Sequence, residues 1–384
     1  MYIAIRSVLT VVFLCCYGLL LSQKTSFDIN NDIIKSIPND VSIIGLGDPT
    51  HQESTITNYR IDLIRKLVHQ KQYKIIAIEG NLLELYAAHV QFLKDGNSVH
   101  FKYAMYPMLN VKEMEALYAF VQLENKNGNE IKIVGFDPSY SGDTFVDVFK
   151  SELNKVTVLT DVEKEEFIKA IEKATISNLK AIFRNNKQVK RRINHFAEKV
   201  HNAYVPTNLD EMFFKQALKN VLALYADSGN SRRDVGMADN VEFLRKVYPN
   251  EKIILFGSSS HLIKNPKSIN AVHNQKEVRL LGDELNKKFN KSYYFIAYTG
   301  LSGQKWRVWN KKKVLPRPIE NSIEKEIESR IKEEATFCTE FQNIGLNDTS
   351  SRFLGHYFYP LIIGDVMDML VLIRNIQPAE ILKQ

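Results

Sequence analysis

Short apolar runs recur along the chain, and each is bounded by polar or helical sequence. Five of them are rich in β-branched or aromatic residues: Val41–Leu46 (VSIIGL), Ile75–Ile78 (IIAI), Ile131–Phe136 (IKIVGF), Ile253–Phe256 (IILF) and Tyr293–Tyr298 (YYFIAY). Helical patterns lie between or beside them, at about 54–70, 81–94, 112–126, 232–247 and 277–289. Near-continuous apolar runs indicate strands covered on both faces. The pattern therefore predicts an α/β fold with a mainly parallel sheet flanked by helices.

A long, nearly Gly-free stretch separates the third run from the fourth and reads as several helices, at about 143–229. Its first half carries an apolar stripe that includes Phe167, Ile171 and Leu179, as expected of packed amphipathic helices. We therefore expect an α/β domain over 30–300 with a helical insertion, followed by a C-terminal extension over 301–384 that packs on the core.

The N-terminal segment has Arg6 ahead of an apolar run from Val8 to Leu21. Fourteen residues are short for a membrane span, which needs about 20, and typical of the apolar region of a signal peptide. We predict a signal peptide over 1–22 and export to the periplasm or the medium. An uncleaved membrane anchor is the alternative, because Leu20 stands where a small residue would precede a cut after Ser22.

Composition narrows the possible classes of protein. The chain has 384 residues, of which 45% are hydrophobic and 25% charged, and this balance excludes collagen, coiled coil and wholesale disorder. The net charge of +7 is spread, and the densest basic cluster, Lys187–Arg192, falls in a helical stretch, so no nucleic-acid partner is expected. Cys15 and Cys16 leave with the signal peptide, which leaves Cys338 and no internal disulfide.

Polar residues follow directly after four of the predicted strands. They are Asp48 and His51 after the first, Glu79 after the second, Asp137 after the third and Ser258–His261 after the fourth. Ligands bind beyond the carboxyl ends of strands in open parallel sheets, so we expect these groups to line one cleft. Each also has a plainly structural reading, because Asp before Pro is common in turns and serines cap helices.

His51 has a pattern that suggests its protonation state. Thr50 and Glu53 match a capping box, which places His51 in the first turn of the following helix. The positive end of a helix disfavours imidazolium. A neutral imidazole accepts a proton, so this position suits a general base.

Arg60 lies on the apolar side of the same predicted helix, with Ile64 and Leu67, and an inward guanidinium generally needs a carboxylate. It follows His51 by nine residues, which in an ideal helix would turn it about 180° away. Both residues face one site only if the helix begins later, near Ser54 or Thr57.

Taken together, these residues resemble the erythromycin esterase family. That family has a G-E-x-x-H-G turn after its first strand, an Arg nine residues beyond the His, a Glu ending the second strand, and G-x-D, R-D-x-x-M-A-x-N and A-H-N-x-H segments. The matching segments are GDPTHQ (Gly47–Gln52), Arg60, Glu79, GFD (Gly135–Asp137), RDVGMADN (Arg233–Asn240) and GSSSH (Gly257–His261). The resemblance runs from about 42 to 300, and RDxxMAxN is its most specific segment.

The resemblance implies opening of a lactone ester by water, without a covalent enzyme intermediate and without a metal or other cofactor. It implies that His51 draws the proton from water while Glu79 and Asp48 orient the imidazole or the water. Arg60 balances the carboxylates or steadies oxyanion charge. His261 assists the oxyanion or protonates the leaving alkoxide. The expected partner is a small-molecule ester or lactone, with no stable membrane partner beyond the signal segment.

The same resemblance assigns Ser258, Asp137, Arg233 and Asp234 to substrate binding. Three positions depart from the family pattern: Asp48 replaces Glu, Gln52 replaces Gly, and Ser258 replaces the first His of the last turn. We therefore expect little or no hydrolysis of erythromycin. A Ser258 nucleophile is a competing scheme, although no G-x-S-x-G segment surrounds it.

Two other classes of function stay open from the sequence. His51, His261, Glu79 and Asp48 have the composition of a divalent metal site, and related α/β folds of this broad superfamily include proposed metalloproteases and haem-uptake proteins. The third possibility is a non-catalytic exported binding protein.

Overall fold

A computed structural model describes residues 29–140, 142–180, 187–225, 232–269, 278–307, 311–328, 331, 334–339, 341 and 349–382. The predicted signal peptide, with Cys15 and Cys16, lies outside these residues, as does part of the predicted helical insertion. None of the helices among the described residues has the length and apolarity that a membrane span requires.

The centre of the molecule is one twisted sheet, and all five apolar runs form strands of it. In chain order, the strands among the described residues are β1 (Ile43–Asp48), β2 (Tyr73–Asn81), β3 (Lys132–Asp137), β4 (Lys252–Ser258), β5 (Tyr293–Arg307), β6 (Lys311–Val314), β7 (Ala335–Cys338), β8 (Thr349–Leu354), β9 (Tyr357–Leu361) and β10 (Met369–Ile376). All of them except β8 and β9 belong to the central sheet. The sheet order is β3-β2-β4-β1-β5-β10-β7, with β6 paired to β5. The neighbouring strands β3, β2, β4, β1, β5 and β10 are mutually parallel. Strand β7 pairs antiparallel with β10, and β6 pairs antiparallel with β5. The predicted α/β class is confirmed.

Helices cover both faces of this sheet. They are α1 (Ile29–Ser36), α2 (Ser54–Lys71), α3 (Leu82–Asp95), α4 (Val99–Ala104), α5 (Met114–Lys126), α6 (Phe145–Asn154), α7 (Asp161–Lys180), α8 (Lys187–Ala203), α9 (Leu209–Tyr225), α10 (Arg232–Val247), α11 (Ser259–Leu262), α12 (Leu281–Phe289), α13 (Ile323–Glu328) and α14 (Ile363–Val366). Helices α6 to α9 occupy the stretch predicted as a helical insertion.

Alternate residues of the strands pack into two separate hydrophobic cores, one on each face of the sheet. For this reason the strands are continuous apolar runs in the sequence. On one face, Ile43, Val134 and Ile253 pack with the inserted helices. On the other, Ile44 and Ile254 pack with α1, α2 and α5. A strand buried on both sides has no polar face, so polar residues gather at its end, where the backbone leaves the sheet.

The segment after residue 300 contributes to this same sheet. Strand β10 pairs in parallel with β5, and β7 adds an antiparallel edge beyond β10. Strands β8 and β9 form a separate two-stranded ribbon. The apolar segment over 357–376, which Pro360, Gly364, Asp365 and Asp368 interrupt, forms β9, α14 and β10.

The beginning of α2 differs from the capping-box prediction, which is wrong. The helix begins at Ser54, with Glu53 at the N-cap position and without a side-chain cap bond. The hydroxyl of Thr50 donates instead to the carboxylate of Glu53, which also binds His356. The Glu53 side chain thus binds Thr50 and His356 through Oε1 and does not reach back to the backbone. His51 lies before the helix, and the later start is the one that lets Arg60 face the same site.

Candidate active site

Strand pairing brings the polar strand ends together. Asp48 of β1 lies beside Ser258 of β4, and β2 runs between β4 and β3, so that Glu79 approaches both neighbours. Asp137 ends β3 beside Asn81. Each of these positions lies at or near the carboxyl end of a buried strand, and the structure shows the predicted convergence of the four strand ends.

The first part of the site is an inner group, made of Asp48, His51 and Arg60. Arg60 is completely buried, and its Nη1 donates to the Asp48 carboxylate. Its Nη2 donates to the carbonyls of Leu46 (2.6 Å) and Gly257 (3.1 Å). The buried Arg60 guanidinium is thus paired with a carboxylate, that of Asp48, as predicted from the sequence. Since no part of Arg60 is exposed, it suits the role of balancing carboxylates and not contact with a substrate.

Two carboxylates flank His51 within the loop that joins β1 to α2. Its Nδ1 lies 3.0 Å from Asp48 Oδ1 and its Nε2 lies 3.5 Å from Glu79 Oε2. Its backbone N–H also donates to Asp48 Oδ1 at 3.0 Å. Nδ1 makes no aligned hydrogen bond within the described part of the chain, so the short contact with Asp48 is an ion-pair contact rather than a linear bond.

The pKa of His51 runs opposite to the expected direction. Burial alone lowers the pKa of an imidazole, but the charges of Asp48 and Glu79 outweigh it, and the pKa of His51 is raised. The expectation of a helix terminus that keeps the ring neutral is therefore wrong. His51 lies outside the helix, and two carboxylates dominate its surroundings.

Glu79 lies between the inner group and the rest of the site. Its Oε2 accepts the backbone N–H of Ser258 at 2.7 Å, and its Oε1 accepts Arg233 Nη2 at 3.1 Å. His261 Nε2 is 3.4 Å from the same Oε1. Burial raises the pKa of a carboxyl, yet the positive charges of His51, His261 and Arg233 hold the pKa of Glu79 far below its usual range. Glu79 is therefore an anion shared by two histidines.

Gly257 makes this reach of Glu79 possible. A Cβ at that position would lie 2.9 Å from Glu79 Oε2 and 3.0 Å from the ring of Phe136. Any side chain there would push the carboxylate away from the backbone N–H of Ser258.

The second part of the site is an outer group, made of Asp137, Arg233, Asp234 and His261. Arg233 Nε donates to Asp137 Oδ2 at 3.0 Å, and Tyr106 donates its hydroxyl hydrogen to the same oxygen at 3.1 Å. The Arg233 side chain is 39% exposed, whereas Asp137 is buried. Its Nη1 lies 3.4 Å from His261 Nε2, and no other contact of this nitrogen with a described residue is seen.

Asp234 binds His261 on the side of the ring opposite to Glu79. His261 Nδ1 lies 2.8 Å from Asp234 Oδ1, which also accepts the backbone N–H of Leu281. Burial lowers the pKa of this ring, but its hydrogen bonds to Asp234 and Glu79 raise the pKa of His261 to about 10. His261 is therefore an imidazolium at neutral pH, with its Nε2–H toward the Glu79 carboxylate.

Ser258 contributes its backbone more than its side chain. Its Oγ accepts the N–H of Ser260 and caps α11, and it lies 2.9 Å from the hydroxyl of Ser260. The side chain contacts neither histidine, whereas its N–H binds Glu79. The capping reading of these serines is confirmed, and no base for a Ser258 nucleophile is in contact with it among the described residues.

The site as a whole has four carboxylates, two guanidiniums and two imidazoles within contact distance of one another. It is neutral when both imidazoles are protonated. Among the residues that the structure describes, no three His, Cys, Asp or Glu side chains are arranged to hold a metal ion.

Some members of the site were not predicted. Tyr106 lies in a loop without a periodic pattern, and no local signal connects it to Asp137. Glu53 was predicted as a capping residue, whereas its carboxylate lies 2.6 Å from His356 Nε2, more than 300 residues away along the chain. Contacts of this range depend on how the whole chain folds, so sequence spacing does not reveal them.

Comparison with known proteins agrees with this architecture. The family model described as Erythromycin esterase matches residues 68–360, which is more than half of the chain. A Bacillus subtilis (strain 168) protein named "Putative hydrolase YbfO" is 21% identical over 396 residues, covering 92% of this chain and 88% of its own.

Two solved structures have the same fold. A succinoglycan biosynthesis protein superposes with a TM-score of 0.74 at 15% identity, with 93% of each chain covered. A mutant of the erythromycin esterase EreC, in its open conformation, superposes with a TM-score of 0.68 at 16% identity, with 92% of this chain and 96% of that chain covered. At these identities the likeness concerns the fold alone.

Proposed function

The chain belongs to the erythromycin esterase family of hydrolases, and on that premise we propose that it hydrolyses a small carboxylic ester or lactone with water activated by His51. The observation that carries the proposal is the position of two histidines on opposite sides of Glu79, one within 3.5 Å and the other within 3.4 Å. Each has its own second carboxylate, Asp48 or Asp234. Such a pair supplies one base and one acid to a single reaction.

His51 is the proposed general base. Asp48 next to Nδ1 favours the tautomer that carries its proton there, which leaves Nε2 free to accept a proton from water. The base form exists only above the pKa of His51, which the two carboxylates raise. As the water oxygen bonds to the ester carbonyl carbon, its proton passes to Nε2 and the carbonyl oxygen gains the negative charge.

His261 is the proposed general acid, and Arg233 is the proposed partner of the oxyanion. His261 is protonated at neutral pH, so its Nε2–H is available to the departing alkoxide. Arg233 Nη1 lies 3.4 Å from that nitrogen on a side chain that is 39% exposed, and a cationic donor fixed in place stabilises the charge that develops on the carbonyl oxygen. Breakage of the acyl C–O bond then releases a carboxylic acid and an alcohol, which remain joined when the substrate is a lactone.

The test is hydrolysis of a panel of p-nitrophenyl esters and γ- and δ-lactones by the purified protein and by His51→Ala. We expect the substitution to reduce kcat by a factor on the order of 10² to 10⁴. Incubation with a chelator should leave the native rate unchanged. Loss of activity on chelation, restored by stoichiometric zinc or manganese, would favour the metal-dependent alternative, and no turnover of any ester would favour a binding protein.

The proposed substrate is not a macrolide. Asp48 is committed to Arg60 and His51, and the hydroxyl of Ser258 caps α11, so neither supplies the longer carboxylate or the additional imidazole of the family pattern. Loss of one such contact costs roughly 10² to 10³ in kcat. We expect negligible hydrolysis of erythromycin by the native protein and a measurable gain in an Asp48→Glu, Ser258→His double variant. Rapid erythromycin hydrolysis by the native protein would contradict this.

The proposed location is outside the cytoplasm, through the segment over 1–22. Its support is the Arg6 charge followed by the apolar run from Val8 to Leu21. N-terminal sequencing of protein recovered from the medium or the periplasm should begin at Gln23. Recovery of the intact N-terminus in the membrane fraction would favour the uncleaved anchor.

A further inference from the structure

The loop that carries His51 is enclosed by the C-terminal part of the chain. The backbone N–H of Gly355 donates to the carbonyl of Pro49 at 3.2 Å. The N–H of Ala379 donates to the carbonyl of Gln52 at 2.7 Å, and the N–H of Ser54 donates to the carbonyl of Gln377 at 2.8 Å. Two separate C-terminal segments, 355–356 and 377–379, therefore fix the loop on both sides of His51.

A buried contact between Glu53 and His356 adds to these backbone contacts. His356 Nε2 lies 2.6 Å from Glu53 Oε1, and both side chains are at most 1% exposed. Thr50 donates its hydroxyl hydrogen to the same oxygen, so Glu53 joins both ends of the loop to the β8–β9 turn. Buried polar groups generally require such partners, because burial without a hydrogen bond is unfavourable.

Backbone strain lies at both ends of this connection. His51 has φ 67, the left-handed region that a residue with a Cβ rarely adopts. Gly355 and His356, the two residues between β8 and β9, have φ 58 and 62, as a tight hairpin turn requires. Strained residues persist where surrounding contacts fix them, and they concentrate at functional sites.

The pair has no other assignment in the reaction. Glu53 and His356 contact neither Glu79 nor Arg233 nor His261 among the bonds of the described residues. Their remaining polar atoms, Glu53 Oε2 and His356 Nδ1, have no hydrogen-bond partner within the described part of the chain. Because Glu53 binds both Thr50 of the loop and His356 of the β8–β9 turn, the pair is placed to hold the loop.

We propose that Glu53 and His356 are positioning residues, which hold His51 in its strained conformation between Asp48 and Glu79. In this arrangement the C-terminal ribbon completes the active site without contact with a substrate. The inference rests on the proposed function for its kinetic consequence, but not for its structural one. A displacement of about 1 Å at a reacting group can cost on the order of 10² in rate.

The experiment compares His356→Ala, His356→Gln and Ser351→Ala with the native protein. The Gln amide can donate to Glu53 in place of Nε2 and should restore most of the native behaviour. Ser351→Ala is the matched control, since it removes a buried hydroxyl of β8 that donates to Glu324 at 2.8 Å and touches no residue of the His51 loop. For His356→Ala we expect kcat to fall on the order of 10², with KM within about twofold.

A second measurement is independent of turnover. The groups that face His51 are Asp48 from β1, Glu79 from β2 and Arg60 from α2. The His51 ring is followed by NMR through a pH titration, with its signal assigned by its absence in His51→Ala. In His356→Ala the pKa of His51 should fall toward 6.5, because the ring leaves the two carboxylates. In Ser351→Ala it should not change.

The outcomes separate the two proposals. If the native protein hydrolyses no ester and the titration still responds to His356→Ala, the proposed function fails and the positioning role stands. If His356→Ala leaves kcat and the titration as in Ser351→Ala, the positioning role is wrong. Should His356→Ala fail to fold, Thr50→Val replaces it. That variant removes only the bond from the half-buried loop hydroxyl, and an unchanged His51 titration in it would overturn the proposal.

Discussion

Two Arg–Asp pairs lie on opposite sides of Glu79, and they differ in what surrounds them. In the inner group, Arg60 and Asp48 are both buried, and the guanidinium is occupied by a carboxylate, two backbone carbonyls and the ring of Phe256, 3.4 Å from its centre. In the outer group, Asp137 is buried but 39% of the Arg233 side chain is exposed. The same two residue types therefore meet water at one pair and not at the other.

This difference in exposure gives Arg60 a structural role and leaves Arg233 available for a chemical one. The Arg60 guanidinium is completely buried and cannot reach a substrate, whereas the Arg233 side chain is partly exposed and its Nη1 lies next to His261. Each pair also has its own histidine, His51 inside and His261 outside. We expect substitution of the buried Arg60 to affect stability first and substitution of the partly exposed Arg233 to affect turnover first.

The largest expected effect is on stability, from Arg60→Met. The substitution leaves the Asp48 carboxylate buried without its cation, and breaking a buried ion pair in this way costs about 3 to 5 kcal/mol. Urea unfolding followed by circular dichroism measures the change in the free energy of unfolding. An Asp48→Asn, Arg60→Met double variant should recover part of the loss, because it removes the orphaned charge. Equal losses in the single and double variants would show that the buried charge is not the cause.

The second prediction applies the same substitution to the outer pair. Arg233→Met should reduce kcat for the best ester substrate by roughly 10², because it removes a donor to the developing oxyanion. Its free energy of unfolding should fall by less than that of Arg60→Met, because Asp137 keeps hydrogen bonds from the Tyr106 hydroxyl and from the backbone N–H of Ser139. A variant with native kcat and a stability loss as large as at the inner pair would abolish the distinction between the two groups.

The smallest effect concerns the two histidines and pH. The base His51 must be deprotonated, so kcat/KM should rise with pH along a limb that lies above pH 6.5, since the pKa of His51 is raised. The acid His261 must be protonated, so kcat/KM should fall again near pH 10. Asp234→Asn removes a negative partner of His261 and should move the alkaline limb down by at least about one pH unit, with the acidic limb moving less. Because the charged groups of the site interact, each limb reflects all of them together. The test therefore compares the limbs of the variant with those of the native protein. An alkaline limb that stays in place would remove His261 as the acid.

The prediction from sequence succeeded where local pattern is sufficient. The apolar run at Ile253–Phe256 specifies a strand buried on both faces, and the polar residues that end it must lie at the edge of a parallel sheet. The inward position of Arg60 followed from its spacing with Ile64 and Leu67. The predicted start of α2 was wrong. Thr50 and Glu53 form a capping box only when no other residue binds their side chains, and here His356 binds Glu53.

The sequence by itself determined the class of fold, strands β1 to β5, most helices and the set of charged residues that gather at the strand ends, because hydrophobic periodicity and strand direction are local properties. Only the tertiary structure decided which carboxylate each histidine meets, which arginine stays exposed and that His356 reaches Glu53. Those contacts join residues far apart in the chain, and the energy of a charge depends on the burial and partners that the complete fold provides. For that reason the sequence predicted a neutral His51 at a helix end, whereas the folded chain places it between two carboxylates that raise its pKa.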